Sequence, residues 1–160
     1  MATVEVTEAR MELADFDKAA PEARAALSAL SKAVGDSGLD KGLTELIKIR
    51  ASQINGCAFC VQFHLNLARK QRVPQTKLDL VPVWREAGVF TKREMAALAW
   101  TEALTGIGPE GVADEAYAAV KAEFEESELV FLTTAVASIN AWNRIAMAYR
   151  FTPPVPQERD

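Results

Sequence analysis

Residues 45–64 read Glu-Leu-Ile-Lys-Ile-Arg-Ala-Ser-Gln-Ile-Asn-Gly-Cys-Ala-Phe-Cys-Val-Gln-Phe-His. This stretch decides the fold, because apolar residues at helical spacing are interrupted by Asn55-Gly56 and then resume. The pattern predicts one helix over about residues 40–54 and a second over about residues 57–72. The chain contains only two cysteines and one histidine, and all three lie at the start of the second helix.

Helical periodicity continues on both sides of this stretch, and no period-two alternation typical of strands persists. Pro21 suits the first position of a helix that ends near Gly35 or Gly38. Thr91 and Glu94 have the spacing of a capping box. The chain is therefore predicted to be all-α, with about seven helices. After residue 72, short helical pieces are expected over residues 75–89, and longer helices over residues 91–104, 114–124 and 126–149.

Length and composition limit the class of protein. With 160 residues, 49% of them hydrophobic and 25% charged, the chain fits one domain over residues 1–160. We expect a helical core over about residues 20–150 and an extended, proline-containing tail over residues 151–160. A net charge of -4 argues against nucleic acid as a partner. The sequence lacks a signal-peptide pattern and a long apolar span, which predicts a cytoplasmic protein without a membrane partner.

The rare nucleophiles are spaced to share one helix face. Cys57 and Cys60 are three residues apart, and Cys60 and His64 are four apart. The first turn of a helix offers free amides and a positive dipole end, which lower the pKa of a thiol. His64 can act as a general base for Cys60. Glu45 lies twelve residues before Cys57, and an antiparallel helix pair would bring it alongside.

Two cysteines separated by two residues can also close a disulfide, so a sulfenic acid on one can be captured by the other. This chemistry favours peroxide reduction without a metal or an organic cofactor. A thioredoxin fold is disfavoured, because no strand precedes the motif. Two alternatives stay open at this point: a pair of buried small apolar residues, or a zinc site. The zinc site would draw on the following ligands: Glu45, Cys57, Cys60 and His64.

Other residues around the motif are assigned mainly structural roles. Asn140 and Asn143 lie on a largely apolar helix and are expected to make structural hydrogen bonds. Phe59 and Phe63 either line an apolar pocket or fill a subunit contact. The helix that carries Glu45 has three further polar residues with expected surface or packing roles: Lys48, Arg50 and Ser52.

The combined pattern Glu45-x11-Cys57-x2-Cys60-x3-His64 resembles the motif of the alkyl hydroperoxidase D (AhpD)-like branch of the carboxymuconolactone decarboxylase superfamily. Flanking segments at residues 94–103 and 140–144 are similar to later helices of that family. The resemblance spans about residues 20–155. It implies an AhpD-like helical fold that assembles as a homotrimer or homohexamer.

The resemblance also implies roles for the site residues. Cys60 would attack the peroxide and become the sulfenic acid, and Cys57 would supply a proton and then form the disulfide. His64 and Glu45 would form a proton relay. One departure is Phe59, which stands between the cysteines where well-studied members carry an additional histidine.

These observations predict a thiol-dependent peroxidase that reduces hydrogen peroxide or alkyl hydroperoxides. Its partners would be the peroxide and a thiol or dithiol reductant. The alternative is a redox-sensing or disulfide-exchange oligomer with little peroxide turnover. Carboxymuconolactone decarboxylation is a third possibility within the same superfamily, but that reaction has no need of a cysteine pair.

Overall fold

A computed structural model describes residues 7–157 of the chain. The first six residues, on which the expectation of no signal peptide partly depends, and the last three residues of the predicted tail lie outside this range. The described residues contain nine α-helices and one 3-10 turn, Val81–Val83, but no β-sheet. The α-helices are α1 (Leu13–Ala19), α2 (Pro21–Asp36), α3 (Lys41–Asn55), α4 (Ala58–Lys70), α5 (Gln75–Leu80), α6 (Trp84–Ala87), α7 (Lys92–Thr105), α8 (Asp114–Lys121) and α9 (Glu126–Tyr149).

Helix α3 lies at the centre of the fold and packs against α4, α7 and α9. Its N-terminus is capped by Asp40, whose carboxylate accepts a hydrogen bond of 2.7 Å from the amide of Leu43. Its side chains are buried on more than one face: Ile47 joins the cluster under α2, α7 and α9, whereas Leu46 and Ile49 join the cluster under α4 to α7. Polar groups on α3 are consequently buried as well, which places Glu45 in the protein interior.

The all-α prediction is confirmed, and most helix positions agree with the sequence pattern. The capping box is present, with the Glu94 amide 3.1 Å from the Thr91 hydroxyl oxygen. Helix α1 was not predicted, because it has fewer than two full turns and no repeated apolar stripe. It is held instead by tertiary packing of Phe16 against Trp142 and Phe151.

The segment after α9 starts as part of the core. Phe151 is buried and packs edge-on against Phe59, with 5.4 Å between the ring centroids. The chain beyond it, up to residue 157, has no regular secondary structure, as expected from its prolines. The C-terminal end of α9 therefore lies next to the start of α4.

Gly56 makes the turn between α3 and α4. Its φ of 75° lies in the left-handed region, and its amide bonds to carbonyls of the last turn of α3. No atom lies within 4 Å of the position that a Cβ would occupy. The need for glycine here is therefore a backbone requirement and involves no steric clash.

Alanine at Gly56 and alanine at Gly35 should have opposite effects on stability. Gly56→Ala is expected to lower the free energy of unfolding by about 1–2 kcal/mol, the cost of left-handed backbone for an alanine. Gly35→Ala, within α2 and also free of contacts, should raise it by up to about 1 kcal/mol through helix propensity. Urea unfolding at one fixed protein concentration measures both. Equal effects would refute the assignment of a backbone constraint to Gly56.

Candidate active site at the start of helix α4

Cys57 is the N-cap residue of α4, placed there by the turn at Gly56. The Cys57 amide donates to the carbonyl of Ser52 at 2.9 Å, which fixes the backbone at the junction. The Cys57 sulfur accepts a hydrogen bond of 3.3 Å from the amide of Cys60. A sulfur in this position faces the free amides and the positive dipole end of the helix, and both favour a thiolate.

The two sulfurs belong to free thiols, and both residues are almost fully buried, with 1% of Cys57 and 3% of Cys60 exposed. A hydrogen bond from the Cys60 thiol lowers the pKa of Cys57 to about 7, despite burial, with help from the Cys60 amide and from Asn143. The same hydrogen bond and burial raise the pKa of Cys60. The pair therefore loses one proton near neutral pH, and the resulting charge is held on Cys57.

Glu45 and His64 meet across the α3–α4 pair, as the sequence analysis anticipated. His64 Nδ1 lies 2.7 Å from Glu45 Oε2. Burial disfavours the charged form of Glu45, but the hydrogen bond and charge of His64, together with Lys48, hold its pKa below the usual value. An ionised Glu45 selects the imidazole tautomer with a proton on Nδ1, which leaves Nε2 available as a proton acceptor.

Asn140 and Asn143, the two asparagines expected to make structural hydrogen bonds, belong to a network of polar side chains next to the cysteines. The Asn143 side chain is fully buried and donates to the Ser52 hydroxyl oxygen at 3.0 Å. Asn55 donates to Asn143 at 2.8 Å and to Asn140 at 2.9 Å. The expectation of structural hydrogen bonds is confirmed, but Asn143 also lowers the pKa of both thiols.

Lys48 contacts a site residue, although a surface or packing role was expected for it. Its ammonium lies 3.3 Å from Glu45 Oε1, and its side chain is only 17% exposed. The spacing of three residues from Glu45 was the available signal. Arg50 points elsewhere and bonds to Glu102 at 2.9 Å, consistent with the packing role expected of it.

A cavity of about 260 Å³ opens beside Cys60 and His64. Aromatic and aliphatic side chains supply much of its lining, including Phe59, Phe63 and Trp142, and Lys48 and Arg24 supply positive charge. The rings of Phe59 and Phe63 are stacked, with centroids 5.9 Å apart. Of the two roles expected for these phenylalanines, the pocket-lining role is the one observed within the chain.

The four candidate zinc ligands do not converge on one point. Glu45 is engaged by His64 and Lys48, and Cys57 by the start of α4. Among residues 7–157, no group of three or more histidine, cysteine, aspartate or glutamate side chains is placed to hold a metal ion. The donor geometry therefore does not fit the zinc alternative.

Comparisons with known proteins agree with this fold. The family profile of the carboxymuconolactone decarboxylase family matches residues 8–103. The uncharacterised protein YdfG of Bacillus subtilis (strain 168) is 36% identical over 129 residues, which is 81% of this chain and 88% of YdfG. The chain thus belongs to the carboxymuconolactone decarboxylase family, as an AhpD-like member.

Two solved structures illustrate the range of this fold. ATU0492 from Agrobacterium tumefaciens, a protein of unknown function provisionally assigned to AhpD-type antioxidant defence, is 42% identical with a TM-score of 0.86, and the match covers 93% of this chain and all 100% of that one. The debrominase Bmp8 is 19% identical with a TM-score of 0.76, over 84% of this chain and 73% of Bmp8. At that identity Bmp8 supports the fold alone.

None of the helices between residues 7 and 157 combines the length and the hydropathy that a bilayer span requires.

The shared proton of the cysteine pair can be measured directly. Thiolate absorbance should titrate with an apparent pKa of about 7 in the parent protein. Cys60→Ala removes the thiol donor, so the pKa of Cys57 should rise towards its ordinary value, although the amide of residue 60 still contributes. Cys57→Ala should abolish the near-neutral step. Persistence of that step in Cys57→Ala would contradict the placement of the charge on Cys57.

Proposed function

We propose that this protein is a thiol-dependent peroxidase that reduces hydrogen peroxide or alkyl hydroperoxides through Cys57 and Cys60. The observation that carries the proposal is the hydrogen-bonded cysteine pair, one sulfur of which shares a cavity with an imidazole oriented by a buried carboxylate. Such a site combines a nucleophile, a base and a second thiol to close a disulfide. We place the protein in the cytoplasm, where thiol reductants are abundant.

In the proposed reaction Cys60 is the attacking residue, because it borders the cavity with His64. The Cys60 proton passes to the Cys57 thiolate or to His64, and the Cys60 sulfur attacks the terminal peroxide oxygen. The O–O bond breaks, and the leaving oxygen takes that proton and departs as water or an alcohol. Cys60 is now a sulfenic acid, with the sulfur oxidised by two electrons.

Cys57 completes the oxidative half of the cycle. Its thiolate attacks the Cys60 sulfur, the S–O bond breaks, and the hydroxide takes a proton that His64 relays from solvent and leaves as water. A disulfide links the two cysteines, and a thiol or dithiol reductant returns two electrons to restore the pair. Glu45 keeps His64 in the tautomer that accepts protons at Nε2, so both residues are proposed to act in proton transfer.

One observation favours the alternative, a redox sensor or disulfide-exchange protein with little turnover. Both cysteines are at most 3% exposed, which restricts the access of a reductant. Disulfide formation with one equivalent of peroxide, but negligible turnover with several reductants, would support the sensor. The decarboxylase reading has no comparable support, because its chemistry leaves the cysteine pair unused.

We also propose that the chain works as a homotrimer or homohexamer. Several large apolar side chains are exposed on the described surface of one chain, and burial between subunits would remove them from water. The exposed set includes Leu30, Ile54, Val83, Val130 and Tyr149. Light scattering across a concentration series measures the assembly, and a monomer at micromolar concentration would refute it.

Replacing each cysteine in turn by serine separates the proposed roles of the two sulfurs. Cys60→Ser should abolish peroxide consumption, because the proposed nucleophile is lost. Cys57→Ser should react once and stop at a sulfenic acid on Cys60, since nothing captures it. Dimedone labelling followed by peptide mass spectrometry measures this. A dimedone adduct on Cys57 in the Cys60→Ser variant would reverse the assignment.

Loss of the relay should lower the rate of oxidation without preventing disulfide closure. His64→Gln should reduce the rate of the peroxide step by about 100-fold or more, a typical effect of losing a general base. Glu45→Gln should cause a smaller loss and shift the pH–rate profile, because His64 loses its charged partner. Arg50→Gln on the same helix is the matched control and should retain the parent profile. An unchanged profile in His64→Gln would remove the histidine from the relay.

A further inference from the structure

Two of the helices that line the cavity beside Cys60 and His64 differ in chemistry. Helix α2 contributes Arg24, Ser28 and Ser31, whose spacing places them on one helix face. Helix α4 contributes the thiol, the imidazole and apolar side chains. The cavity therefore has a polar stripe besides its reactive groups, and the proposed reaction gives that stripe no role.

The charged side chains that line this cavity are cations. Arg24 and Lys48 line it, and no aspartate or glutamate of the described chain does. Both cations have an acidic neighbour that lies outside the lining. Arg24 Nε is 3.4 Å from Asp17 Oδ1, and Lys48 Nζ is 3.3 Å from Glu45 Oε1. A ligand in the cavity therefore meets positively charged donors and no carboxylate.

The guanidinium of Arg24 is held in place with donors to spare. It lies over the Trp142 ring, 5.2 Å from the centroid. Asp17 Oδ1 accepts no hydrogen bond within the described residues, so this closest contact of the ion pair occupies none of the guanidinium N–H groups. Two parallel N–H groups of a guanidinium match the two oxygens of a carboxylate.

We infer that this cavity selects a compact organic hydroperoxide that carries a carboxylate, and that Arg24 binds this carboxylate. The reaction itself rests on the proposed function, to which the carboxylate and its binding residue are added. The hydroperoxide group lies at Cys60 and His64, and the apolar body of the substrate lies against the aromatic side chains.

The size and lining of the cavity define the body of the substrate. Its volume of about 260 Å³ is near the lower end of small-molecule cavities, which span about 300–1,000 Å³. A small ring-bearing molecule suits this space better than a long acyl chain. Phe59, Phe63 and Trp142 offer aromatic surface to such a ring. Hydrogen peroxide would leave that surface unused, so the lining favours an organic substrate.

Arg24 suits the carboxylate better than Lys48 does. The ammonium of Lys48 contacts Glu45, and the other oxygen of Glu45 contacts His64. A substrate carboxylate at Lys48 would therefore lie close to a buried like charge and beside the imidazole, where the peroxide must bind. The acidic neighbour of Arg24 is Asp17, whose side chain is 36% exposed, so water and salt screen its charge.

The carboxylate of the substrate takes no part in bond breaking. Cys60 takes up the terminal peroxide oxygen as a sulfenic acid, the O–O bond breaks, and the alcohol that leaves keeps its carboxylate. Cys57 then closes the disulfide and water is released. One hydroperoxide and two thiols thus give one alcohol, one water molecule and one disulfide.

Two hydroperoxides of similar shape test the selection: para-carboxycumene hydroperoxide and its methyl ester. Stopped-flow fluorescence measures the second-order rate constant for oxidation of the reduced protein by each. We expect the parent protein to react about 5-fold to 30-fold faster with the carboxylate, the effect of one charged hydrogen bond at a partly exposed side chain. Arg24→Gln should bring the ratio of the two rate constants close to unity, and Arg24→Lys should restore part of it.

Lys32→Gln is the matched control. It removes one positive charge from the same helix, at an exposed residue that does not line the cavity. Its ratio of rate constants should equal that of the parent protein. A ratio that falls equally in Lys32→Gln and Arg24→Gln would assign the preference to overall charge and overturn the inference. Equal rate constants for the two hydroperoxides in the parent protein would also overturn it, but would leave the proposed function standing.

An unreactive analogue tests the carboxylate site without the reaction. Isothermal titration calorimetry measures the Kd of para-isopropylbenzoate, which keeps the carboxylate and lacks the peroxide. Arg24→Gln should weaken its binding by about 5-fold to 30-fold, and Lys32→Gln should not. Equal Kd values in the parent protein and Arg24→Gln would overturn the inference. If neither hydroperoxide oxidises the protein, the proposed function fails, and binding that depends on Arg24 still supports the carboxylate site.

Discussion

The left-handed turn at Gly56 is the constraint on which the site depends. It ends α3 and allows α4 to start one residue later, antiparallel to α3. Cys57 becomes the N-cap as a direct result, and its sulfur receives the amide of Cys60. The same reversal brings Glu45 on α3 within 2.7 Å of His64 on α4, so one backbone requirement arranges all four site residues.

Burial sets the chemistry of the cysteine pair. Two buried thiols cannot both ionise, so they share a proton. The hydrogen bond from the Cys60 thiol, with help from the Cys60 amide, favours the charge on Cys57. Asn143 lowers the pKa of both thiols, and its side chain is held in place by hydrogen bonds with Asn55 and Ser52. A reactive thiolate can therefore exist near neutral pH while both sulfurs are protected from bulk solvent.

Each of the two buried sulfurs borders a cavity of its own. The cavity of about 260 Å³ beside Cys60 is lined by His64 and by aromatic side chains. A second cavity, of about 480 Å³, is lined by Cys57 and lies between the start of α4 and the C-terminal end of α9. Among the residues that the structure describes, Phe59 lines both cavities.

The sequence by itself determined the all-α class, the α3–α4 pair, the capping box at Thr91 and the candidate residues Glu45, Cys57, Cys60 and His64. These follow from local rules: helical periodicity, the Asn55-Gly56 break, and the spacing of groups on one helix face. The family resemblance then related Glu45 to the motif. Helix α1 was not predicted from the sequence. A helix this short is held by the long-range packing of Phe16, which leaves no local sequence pattern.

Only the tertiary structure decided which groups contact the cysteines and which space each sulfur faces. Asn143 lies 86 positions after Cys57 in the sequence, so only the packing of α9 against α3 and α4 brings it to the site. Lys48 was assigned a surface or packing role, but the buried carboxylate of Glu45 draws it into an ion pair. The two cavities likewise arise where separate helices meet, and no spacing along one helix encodes such a meeting.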